Sequence, residues 1–312
     1  MIRNAVKTRV LRIDSISTPE CDLWIKRDDE TNAIYGGNKI RKLDYLLDDA
    51  STRRATRILT VGAIGSHHVL ATTIHGTRRG FAVDAVLVPQ PSTPHVIDTR
   101  NASIAAGLNA IYVRSYAQVP FAILRHMYKY RGQRTYFIPV GGSNVLGSMG
   151  YVDAALELMD QVRAGEIPEP DLHVVALGSG GTAAGIAAGL EIAKSKGGVI
   201  GVSVAPPARL LGGMTIALAR ACVRRRAREI GLKDAGGSWC AMVKRIEIDV
   251  GYMGEGYGYA TPAGDDAMDV GRSLGIALDA TYTAKAFAAA RAIVDGAQKR
   301  GARTVLYWHT LG

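Results

Sequence analysis

The stretch Gly36-Gly37-Asn38-Lys39-Ile40-Arg41-Lys42-Leu43 predicts a tight turn that leads directly into a helix. Two glycines allow the backbone to turn sharply, and a helical apolar pattern follows at Ile40, Leu43, Leu47 and Ala50. Lys39 therefore lies in the first turn of a helix whose apolar side is buried. The helix dipole and the neighbouring basic residues disfavour its ammonium form, and a partly neutral lysine can form a Schiff base with a carbonyl. The alternative is a lysine that only covers the helix start in solvent.

Composition is typical of a globular chain with two lobes. The 312 residues are enough for two compact units, and 47% of them are hydrophobic. Abundant alanine and glycine are common where helices pack closely on a parallel sheet. No apolar run approaches the roughly 18 residues of a membrane helix, and Met1 to Asp14 lack a signal-peptide pattern. We therefore expect a cytoplasmic protein with no membrane partner.

Cysteine spacing and charge pattern argue against metal and nucleic-acid partners. Cys21, Cys222 and Cys240 are widely spaced and form no metal-ligand pattern, so reduced thiols are expected. The net charge of +10 allows nucleic-acid binding, but the basic residues are scattered and no aromatic platform lies among them. The run Arg224-Arg225-Arg226 lies on a predicted helix, Met214–Ile230, where a solvated face explains it better. We expect no nucleic acid and no metal.

Short β-rich runs alternate with helical patterns along the chain. The predicted strands are Ile58–Val61, Ala82–Val88, Ala110–Val113, Tyr136–Pro139, His173–Leu177, Val199–Val204, Ile246–Val250 and Thr304–Trp308. The predicted helices between them include Ser66–Arg79, Pro94–Ala106, Asn144–Ala164, Gly181–Lys194, Pro262–Leu274 and Tyr282–Arg300. This alternation predicts an α/β fold with parallel sheets covered by helices. We expect a small domain, residues 51–146, inserted in a large domain formed by residues 1–50 and 147–312.

The turn Leu177-Gly178-Ser179-Gly180-Gly181-Thr182 follows a predicted strand and opens an alanine-rich helix. Its glycines let backbone N–H groups converge on an anion, and the helix dipole adds to the attraction. The turn therefore predicts a phosphate site, with a ligand-free tight turn as the alternative. It is not a Walker loop, because no Gly-Lys-Ser/Thr follows, and it lacks the full dinucleotide spacing.

A second turn of this type reads Gly62-Ala63-Ile64-Gly65-Ser66-His67-His68. Its N–H groups and the Ser66 hydroxyl suit a carboxylate as well as a phosphate. His67 and His68 are neighbours in a predicted helix and point to different sides. Since no third ligand is close in sequence, a metal site is disfavoured.

Two later stretches combine loops with tyrosines: Gly254-Glu255-Gly256-Tyr257-Gly258-Tyr259 and Leu278-Asp279-Ala280-Thr281-Tyr282-Thr283-Ala284-Lys285-Ala286. The first suggests a phenol aimed inward, with a plain surface loop as the alternative, and in the second a threonine could simply cap a helix. A Schiff-base lysine, a phosphate turn, a carboxylate turn and two tyrosines are the parts of a pyridoxal phosphate enzyme that acts on an amino acid. Their joint occurrence is stronger than any single motif.

From Leu23 to His309 the chain resembles the D-cysteine desulfhydrase and 1-aminocyclopropane-1-carboxylate deaminase family. The most specific part is Leu23-Trp24-Ile25-Lys26-Arg27-Asp28-Asp29, followed by the lysine stretch quoted above. This family lies within the tryptophan-synthase-β-like, fold type II pyridoxal phosphate enzymes. The resemblance implies two open twisted, mainly parallel sheets flanked by helices, with the cofactor bound by the larger lobe. It also implies a homodimer.

The resemblance assigns residues to the expected site. The catalytic set that it implies is Lys39, Ser66, Tyr257 and Tyr282. The cofactor-binding set is Lys39, Lys42, His67, Gly178, Ser179, Gly180, Gly181, Thr182 and Thr283. The substrate-binding set is Asn38, Gly65, Ser66, His67, His68 and Thr310. In this assignment Lys39 holds the cofactor, Lys42 approaches its phosphate, and Thr283 faces its pyridine nitrogen.

Two positions favour the desulfhydrase branch of the family. Cyclopropane deaminases resemble one another in having Glu where this chain has Thr283, and Leu where it has Thr310. A hydroxyl leaves the ring nitrogen largely unprotonated and the ring a weaker electron sink, which suffices for loss of thiolate. Two departures concern His67, which replaces the Asn expected at the cofactor's 3′ oxygen, and Leu311, which replaces a glycine.

We therefore expect a lyase that converts a small amino acid, D-cysteine above all, to pyruvate, ammonia and sulfide by α,β-elimination. The alternatives are a 1-aminocyclopropane-1-carboxylate deaminase, or an elimination, replacement or racemisation on another β-substituted amino acid. A pyridoxal phosphate-binding protein without turnover, or a basic binding module, is the alternative outside enzymes.

Overall fold

Two sheets organise the part of the chain that the structure, a computed structural model, describes: residues 6–231 and 238–311. Its strands are β1 (Val10–Arg12), β2 (Asp22–Arg27), β3 (Arg57–Ala63), β4 (Ala82–Val88), β5 (Leu108–Tyr112), β6 (Thr135–Ile138), β7 (Leu172–Leu177), β8 (Gly198–Ser203), β9 (Ile246–Asp249) and β10 (Thr304–His309). Its α-helices are α1 (Asn38–Thr52), α2 (His67–Arg78), α3 (Pro94–Ala105), α4 (Val119–Lys129), α5 (Val145–Arg163), α6 (Gly181–Ile192), α7 (Ala208–Glu229), α8 (Trp239–Arg245), α9 (Pro262–Ser273), α10 (Thr283–Asp295) and α11 (Ala297–Arg300).

The sheets confirm the predicted α/β class. The larger sheet has the strand order β1-β2-β10-β7-β8-β9, and its described pairs are parallel except β1 with β2. The smaller sheet has the order β5-β4-β3-β6 and its described pairs are all parallel. Loops at the carboxyl ends of parallel strands meet at one edge of a sheet, which is where such folds bind ligands. The predicted phosphate turn follows β7, and the predicted carboxylate turn follows β3.

Small residues allow helices to approach closely above the larger sheet. A side chain at Gly189 would lie 2.6 Å from Ala155 Cβ and 2.7 Å from the Val152 carbonyl oxygen, so α6 and α5 touch through their backbones. Helix α6 is almost entirely buried because it lies between α5, α7 and the sheet. The abundance of alanine and glycine therefore reflects close helix packing.

Helix α1 joins the two lobes. Its residues Leu43, Leu46, Leu47 and Ala50 belong to the same apolar cluster as the buried side chains of the smaller sheet. Another side of the helix packs against α5, which follows the smaller lobe in the chain. The division into residues 1–50 and 147–312 against 51–146 remains our proposal. It is supported by the position of β3 to β6, which all lie between residues 57 and 138.

The structure corrects several element predictions. Helix α4 was not predicted, because its apolar side chains Phe121, Leu124 and Tyr128 are exposed and do not mark a buried face. Helix α7 begins at Ala208 instead of Met214. Its Gly212 lies close to β9, since a side chain at this position would lie 3.0 Å from Ile248 Cγ1. The predicted helix Tyr282–Arg300 is divided at Gly296 into α10 and α11.

The described residues form neither a membrane-spanning helix nor a metal-binding cluster. None of the helices formed by residues 6–231 and 238–311 has the length and apolar character needed to cross a membrane. The same residues contain no cluster of three or more histidine, cysteine or acidic side chains that could hold a metal. Part of the stretch Met1 to Asp14, its first five residues, lies outside the described residues.

Candidate active site

Lys39 lies in the first turn of α1, as predicted, where the start of the helix contacts the segment that follows β10. Gly37 has a φ of 93°, and a side chain there would lie 2.6 Å from the Thr310 carbonyl oxygen. The Asn38 N–H donates to that same oxygen at 2.7 Å. Burial lowers the pKa of the Lys39 amine to about 8, against the opposing charge of Asp279. A substantial fraction of Lys39 is therefore neutral near physiological pH and available as a nucleophile or base.

Lys42 carries a buried amine that pairs with no carboxylate of the described residues. Its side chain is 1% exposed and donates to the Gly141 carbonyl oxygen at 3.2 Å and to Ser143 Oγ at 3.1 Å. Burial, with the charge of Lys39, lowers the pKa of Lys42. No carboxylate of residues 6–231 and 238–311 pairs with it in the structure. A buried amine of this kind is stabilised when an anion binds beside it.

The turn from Gly178 to Thr182 lies directly against Lys42. Gly180 adopts a left-handed conformation with φ 81°, and α6 begins at the next residue. The Ser179 hydroxyl lies 2.7 Å from the Ser143 hydroxyl, and Asn38 Nδ2 donates to Thr182 Oγ1 at 3.2 Å. Free N–H groups at a helix start, two hydroxyls and a buried lysine form an anion site. The phosphate of pyridoxal phosphate would fit this donor set, and Lys39 on the same helix would hold the cofactor's carbonyl group.

Gly181→Ala is expected to weaken cofactor binding about tenfold to a hundredfold, through loss of charge-assisted hydrogen bonds. A side chain at position 181 would collide with Ser143 Oγ and lie 2.9 Å from Lys42 Nζ. Both groups would have to move from the anion site. Titration of the cofactor-free protein with pyridoxal phosphate, followed by absorbance, measures the change.

Gly213→Ala is the matched control, because a side chain at this helical position has open space around it. We expect its affinity for the cofactor to equal that of the wild type. Equal affinities for Gly181→Ala and Gly213→Ala would contradict the assignment of the phosphate site.

The second predicted turn has only part of its N–H groups available. The Gly65 N–H donates to Gln90 Oε1 at 3.3 Å, and the Ser66 N–H donates to the Ala63 carbonyl oxygen at 3.0 Å. The groups left for a substrate carboxylate are the N–H groups of His67 and His68, which begin α2 and have no partner within the helix. The Ser66 hydroxyl accepts no capping bond from α2. The Gly65 N–H is therefore already bonded within the protein, and the assignments of Gly65 and Ser66 to substrate stay predictions.

The two histidines of this turn face different surroundings. The His68 ring contacts Thr60 on β3, with 2.9 Å between Nε2 and Oγ1, and is 4% exposed. Its imidazole therefore serves the packing of α2 on the sheet, and only its backbone is offered to a substrate. The His67 ring contacts Tyr35 and His95 through its two nitrogens, at 2.6 and 2.9 Å. Both nitrogens thus have protein partners, and the predicted contact of His67 with the cofactor's 3′ oxygen stays a prediction.

Tyr257 and Tyr282 form one aromatic pair. Their ring centroids are 5.7 Å apart with an interplanar angle of 79°, and a side chain at Gly178 would lie 2.9 Å from the Tyr282 ring. Burial raises the pKa of both phenols, so both carry a proton at neutral pH. Lys285 fixes the loop before Tyr257 by donating to the Met253 and Gly256 carbonyl oxygens at 2.8 and 3.2 Å. The pair therefore offers proton donors next to the phosphate turn.

Asp279 is a neighbour of the site that was not among the predicted site residues. Its carboxylate accepts hydrogen bonds from the N–H groups of Thr281, Tyr282 and Thr283, at 2.9, 2.8 and 3.0 Å. The Thr283 hydroxyl donates to Asp279 Oδ2 at 2.8 Å. The carboxylate thereby fixes both tyrosine and threonine at the start of α10, and its charge raises the pKa of Lys39 against burial. The position of Asp279, an acidic residue shortly before a predicted helix, could have indicated this role.

Ser143, Gln90, Tyr35 and His95 are the other neighbours of the site that sequence reasoning did not identify. Each comes from a different loop or helix end, and their side chains meet the predicted residues only in the folded chain. No local motif marks them.

Comparison with known proteins finds relatives that match this chain over almost its whole length. The model of a family described as pyridoxal-phosphate dependent enzyme matches residues 3–310. A D-cysteine desulfhydrase of Salmonella schwarzengrund (strain CVM19633) is 35% identical over 303 residues, which cover 93% of this chain and 87% of the relative. One of Salmonella paratyphi A is 34% identical over 306 residues, which cover 94% of this chain and 88% of the relative.

A solved structure described as an ACC deaminase homologue has the same architecture. It superposes with a TM-score of 0.82 at 30% identity, covering 99% of this chain and 90% of its own. The comparison confirms the predicted tryptophan-synthase-β-like fold class, with two mainly parallel sheets flanked by helices.

Proposed function

Because the chain belongs to the family of pyridoxal-phosphate-dependent enzymes, we propose that it is a lyase that releases sulfide, ammonia and pyruvate from D-cysteine. The observation that carries the proposal is the pair of lysines in α1. Lys39 is a half-buried amine with a pKa of about 8, and Lys42 is a buried amine without a carboxylate partner in the described chain. One suits a carbonyl and the other a phosphate, and pyridoxal phosphate carries both.

The protein's own groups would divide the work as follows. When bound, the cofactor supplies a conjugated ring that takes up the electron pair of the α-carbon. Lys39 Nζ accepts the α-proton, and the C–S bond breaks with its electron pair going to sulfur. Ser66 and the first N–H groups of α2 hold the substrate carboxylate. Tyr282 and Tyr257, which are protonated, orient the substrate and donate to the sulfur. Water then converts the released enamine to pyruvate and ammonia.

Thr283 favours elimination of a good leaving group. Its uncharged hydroxyl, already bonded to Asp279, occupies the position that the resemblance places at the ring nitrogen. A hydroxyl gives less support to a protonated ring than a carboxylate does, so the ring is a weaker electron sink. Thiolate leaves readily under these conditions, whereas opening a cyclopropane requires more electron withdrawal. D-cysteine is also named in the relatives at about 35% identity.

We expect purified protein loaded with cofactor to form pyruvate from D-cysteine at a rate well above that with 1-aminocyclopropane-1-carboxylate. Pyruvate and 2-oxobutanoate are assayed in parallel, together with the absorbance spectrum, and L-cysteine serves as the control substrate. Formation of 2-oxobutanoate as the main product would favour the deaminase, which the solved ACC deaminase homologue makes the second candidate. A spectral change without either keto acid would overturn the elimination proposal.

The homodimer and the cytoplasmic location are also proposals. A dimer is supported by exposed apolar side chains on α4, among them Phe121, Leu124 and Tyr128, since burial of such a surface removes apolar area from water. Light scattering on the eluting protein gives the mass directly. A mass of one chain at micromolar concentration would contradict the dimer.

A further inference from the structure

Tyr35, His67 and His95 form a hydrogen-bonded chain between the candidate active site and the protein surface. Tyr35 Oη lies 2.6 Å from His67 Nδ1, and His67 Nε2 lies 2.9 Å from His95 Nε2. Tyr35 directly precedes the glycine turn that leads to Lys39, and His67 directly follows Ser66. His95 is an exposed residue in the first turn of α3. The three side chains thus connect the inner turns to solvent.

The distances indicate which atom donates in each of the two hydrogen bonds that join Tyr35, His67 and His95. Two ring nitrogens 2.9 Å apart require one N–H donor and one acceptor. Burial, with the charge of Asp279, raises the pKa of the Tyr35 phenol, so that it is protonated and donates to Nδ1 of His67. His67 then carries its own hydrogen on Nε2 and donates it to His95. Burial lowers the pKa of His67 to about 4, against the charge of Asp279, so the ring is neutral in this arrangement.

We propose that Tyr35, His67 and His95 are a proton relay that exchanges protons between the active-site cleft and solvent. The proposal rests on the proposed function, in which the substrate amine must lose a proton and the departing sulfur must gain one. It also gives His67 a role other than a contact with the cofactor.

Protons balance over one cycle of the relay. In the outward step Tyr35 Oη takes the proton that the substrate amine loses and passes its own to His67 Nδ1. His67 Nε2 passes its hydrogen to His95 Nε2, and His95 Nδ1 releases one to solvent. Every hydrogen bond of the chain now points inward, and the reverse sequence returns one proton to the cleft. Each passage prepares the next one in the opposite direction, and the relay gains no net proton.

The groups around His67 suit such a role. The charge of Asp279 raises the pKa of His67 and the charge of Lys39 lowers it, while its two ring nitrogens contact Tyr35 and His95. The turn that carries His67 is fixed by packing, since a side chain at Gly65 would lie 2.9 Å from Val96 Cα of α3. The turn before α2 and the start of α3 are therefore in close contact beside His67 and His95.

The relay is tested by His95→Gln, which keeps a hydrogen-bond acceptor for His67 but cannot carry a proton from one side to the other. We expect kcat for pyruvate formation to fall about tenfold or more, as for loss of a proton-transfer group, with KM within about twofold. Added imidazole should restore part of the rate. The control is Asp98→Asn, an exposed position on the same helix, which should leave kcat unchanged. An unchanged kcat in His95→Gln, or a loss that imidazole does not relieve, would overturn the relay.

A second measurement separates this proposal from the choice of substrate. In cofactor-free, ¹⁵N-labelled protein, we expect a nitrogen-to-nitrogen coupling across the hydrogen bond between His67 Nε2 and His95 Nε2, and its loss in His95→Gln. Absence of the coupling in the wild type would overturn the relay whatever the enzyme's substrate. Failure of D-cysteine to yield pyruvate, with the coupling present, would overturn the proposed substrate alone.

Discussion

Lys39→Ala is expected to lose at least about 10³-fold in kcat/KM for D-cysteine, because one side chain supplies both the covalent link to the cofactor and the base for the α-proton. The visible absorption band of the lysine-bound cofactor should disappear as well. The phosphate turn is intact in this variant, so cofactor should still bind with weaker affinity. Pyruvate formation and the absorbance spectrum measure the two effects.

Lys244→Ala is the control for this variant, since Lys244 is exposed on α8 and has no role in the candidate site. It should match the wild type in both spectrum and rate. In cofactor-free wild type, covalent reloading should accelerate as the pH rises toward about 8 and then level off, because only the neutral amine attacks. An unchanged visible band in Lys39→Ala would show that another amine, with Lys42 the nearest in sequence, holds the carbonyl.

Asp28→Asn is expected to destabilise the protein by about 3 kcal/mol or more, the usual result of breaking a buried ion pair. Asp28 is fully buried and pairs with Arg41, with 2.9 Å between Oδ1 and Nη2. Tyr151 and Thr8 also donate to it, at 2.6 and 2.8 Å. All of these partners are donors, so an amide N–H group at position 28 would face donors. The urea midpoint of unfolding measures the loss.

The pH dependence of this effect has a definite sign. Burial alone would raise the pKa of Asp28, but Arg41 and Lys26 outweigh it and lower the pKa. The contribution of Asp28 to the free energy of unfolding is therefore present above the ordinary carboxyl pKa and is lost as the pH falls. The difference in the free energy of unfolding between the wild type and Asp28→Asn should therefore become smaller as the pH is lowered.

Asp269→Asn is the control, because Asp269 pairs with Arg272 on the exposed side of α9. Its urea midpoint should equal that of the wild type. Should Asp28→Asn fail to accumulate, Glu157→Gln offers a milder test, since Glu157 is partly exposed and pairs with both Lys26 and Arg41. A wild-type midpoint in either variant would contradict the role of this ion cluster.

The most specific part of the family resemblance has a structural role that its local composition does not show. Lys26 to Asp29 are four charged residues in a row, and such residues are normally exposed to solvent. In the folded chain Lys26 and Asp28 are both fully buried, and Lys26 Nζ donates to Glu157, Gln161 and the Thr8 carbonyl oxygen. Glu157 and Gln161 lie on α5, more than a hundred residues away in the chain, and Thr8 lies in the segment before β1. Burial of a charge depends on such distant partners, so the local pattern could not reveal it.

The site was predictable where function follows from a local turn. Lys39 at the start of α1 and the glycine turn before α6 follow from glycine positions and from the helix periodicity that comes next. The roles of His67 and His68 were not predictable, because each ring is directed by groups on other elements. His68 turns to Thr60 on β3, and His67 bridges Tyr35 and His95.

The sequence by itself determined the α/β class, the parallel strands, the helix start at Lys39 and the two glycine turns. These features depend on periodicity and turn chemistry within a few residues, and on a resemblance carried by short motifs. The tertiary structure alone decided that Lys42 lies beside the turn from Gly178 to Thr182, that Asp279 binds Thr283, and that α1 packs on both the smaller sheet and α5. It also decided the contact between His67 and His95. Each of these depends on which distant groups meet after the two sheets pack, and pairwise distance and burial are properties of the folded chain.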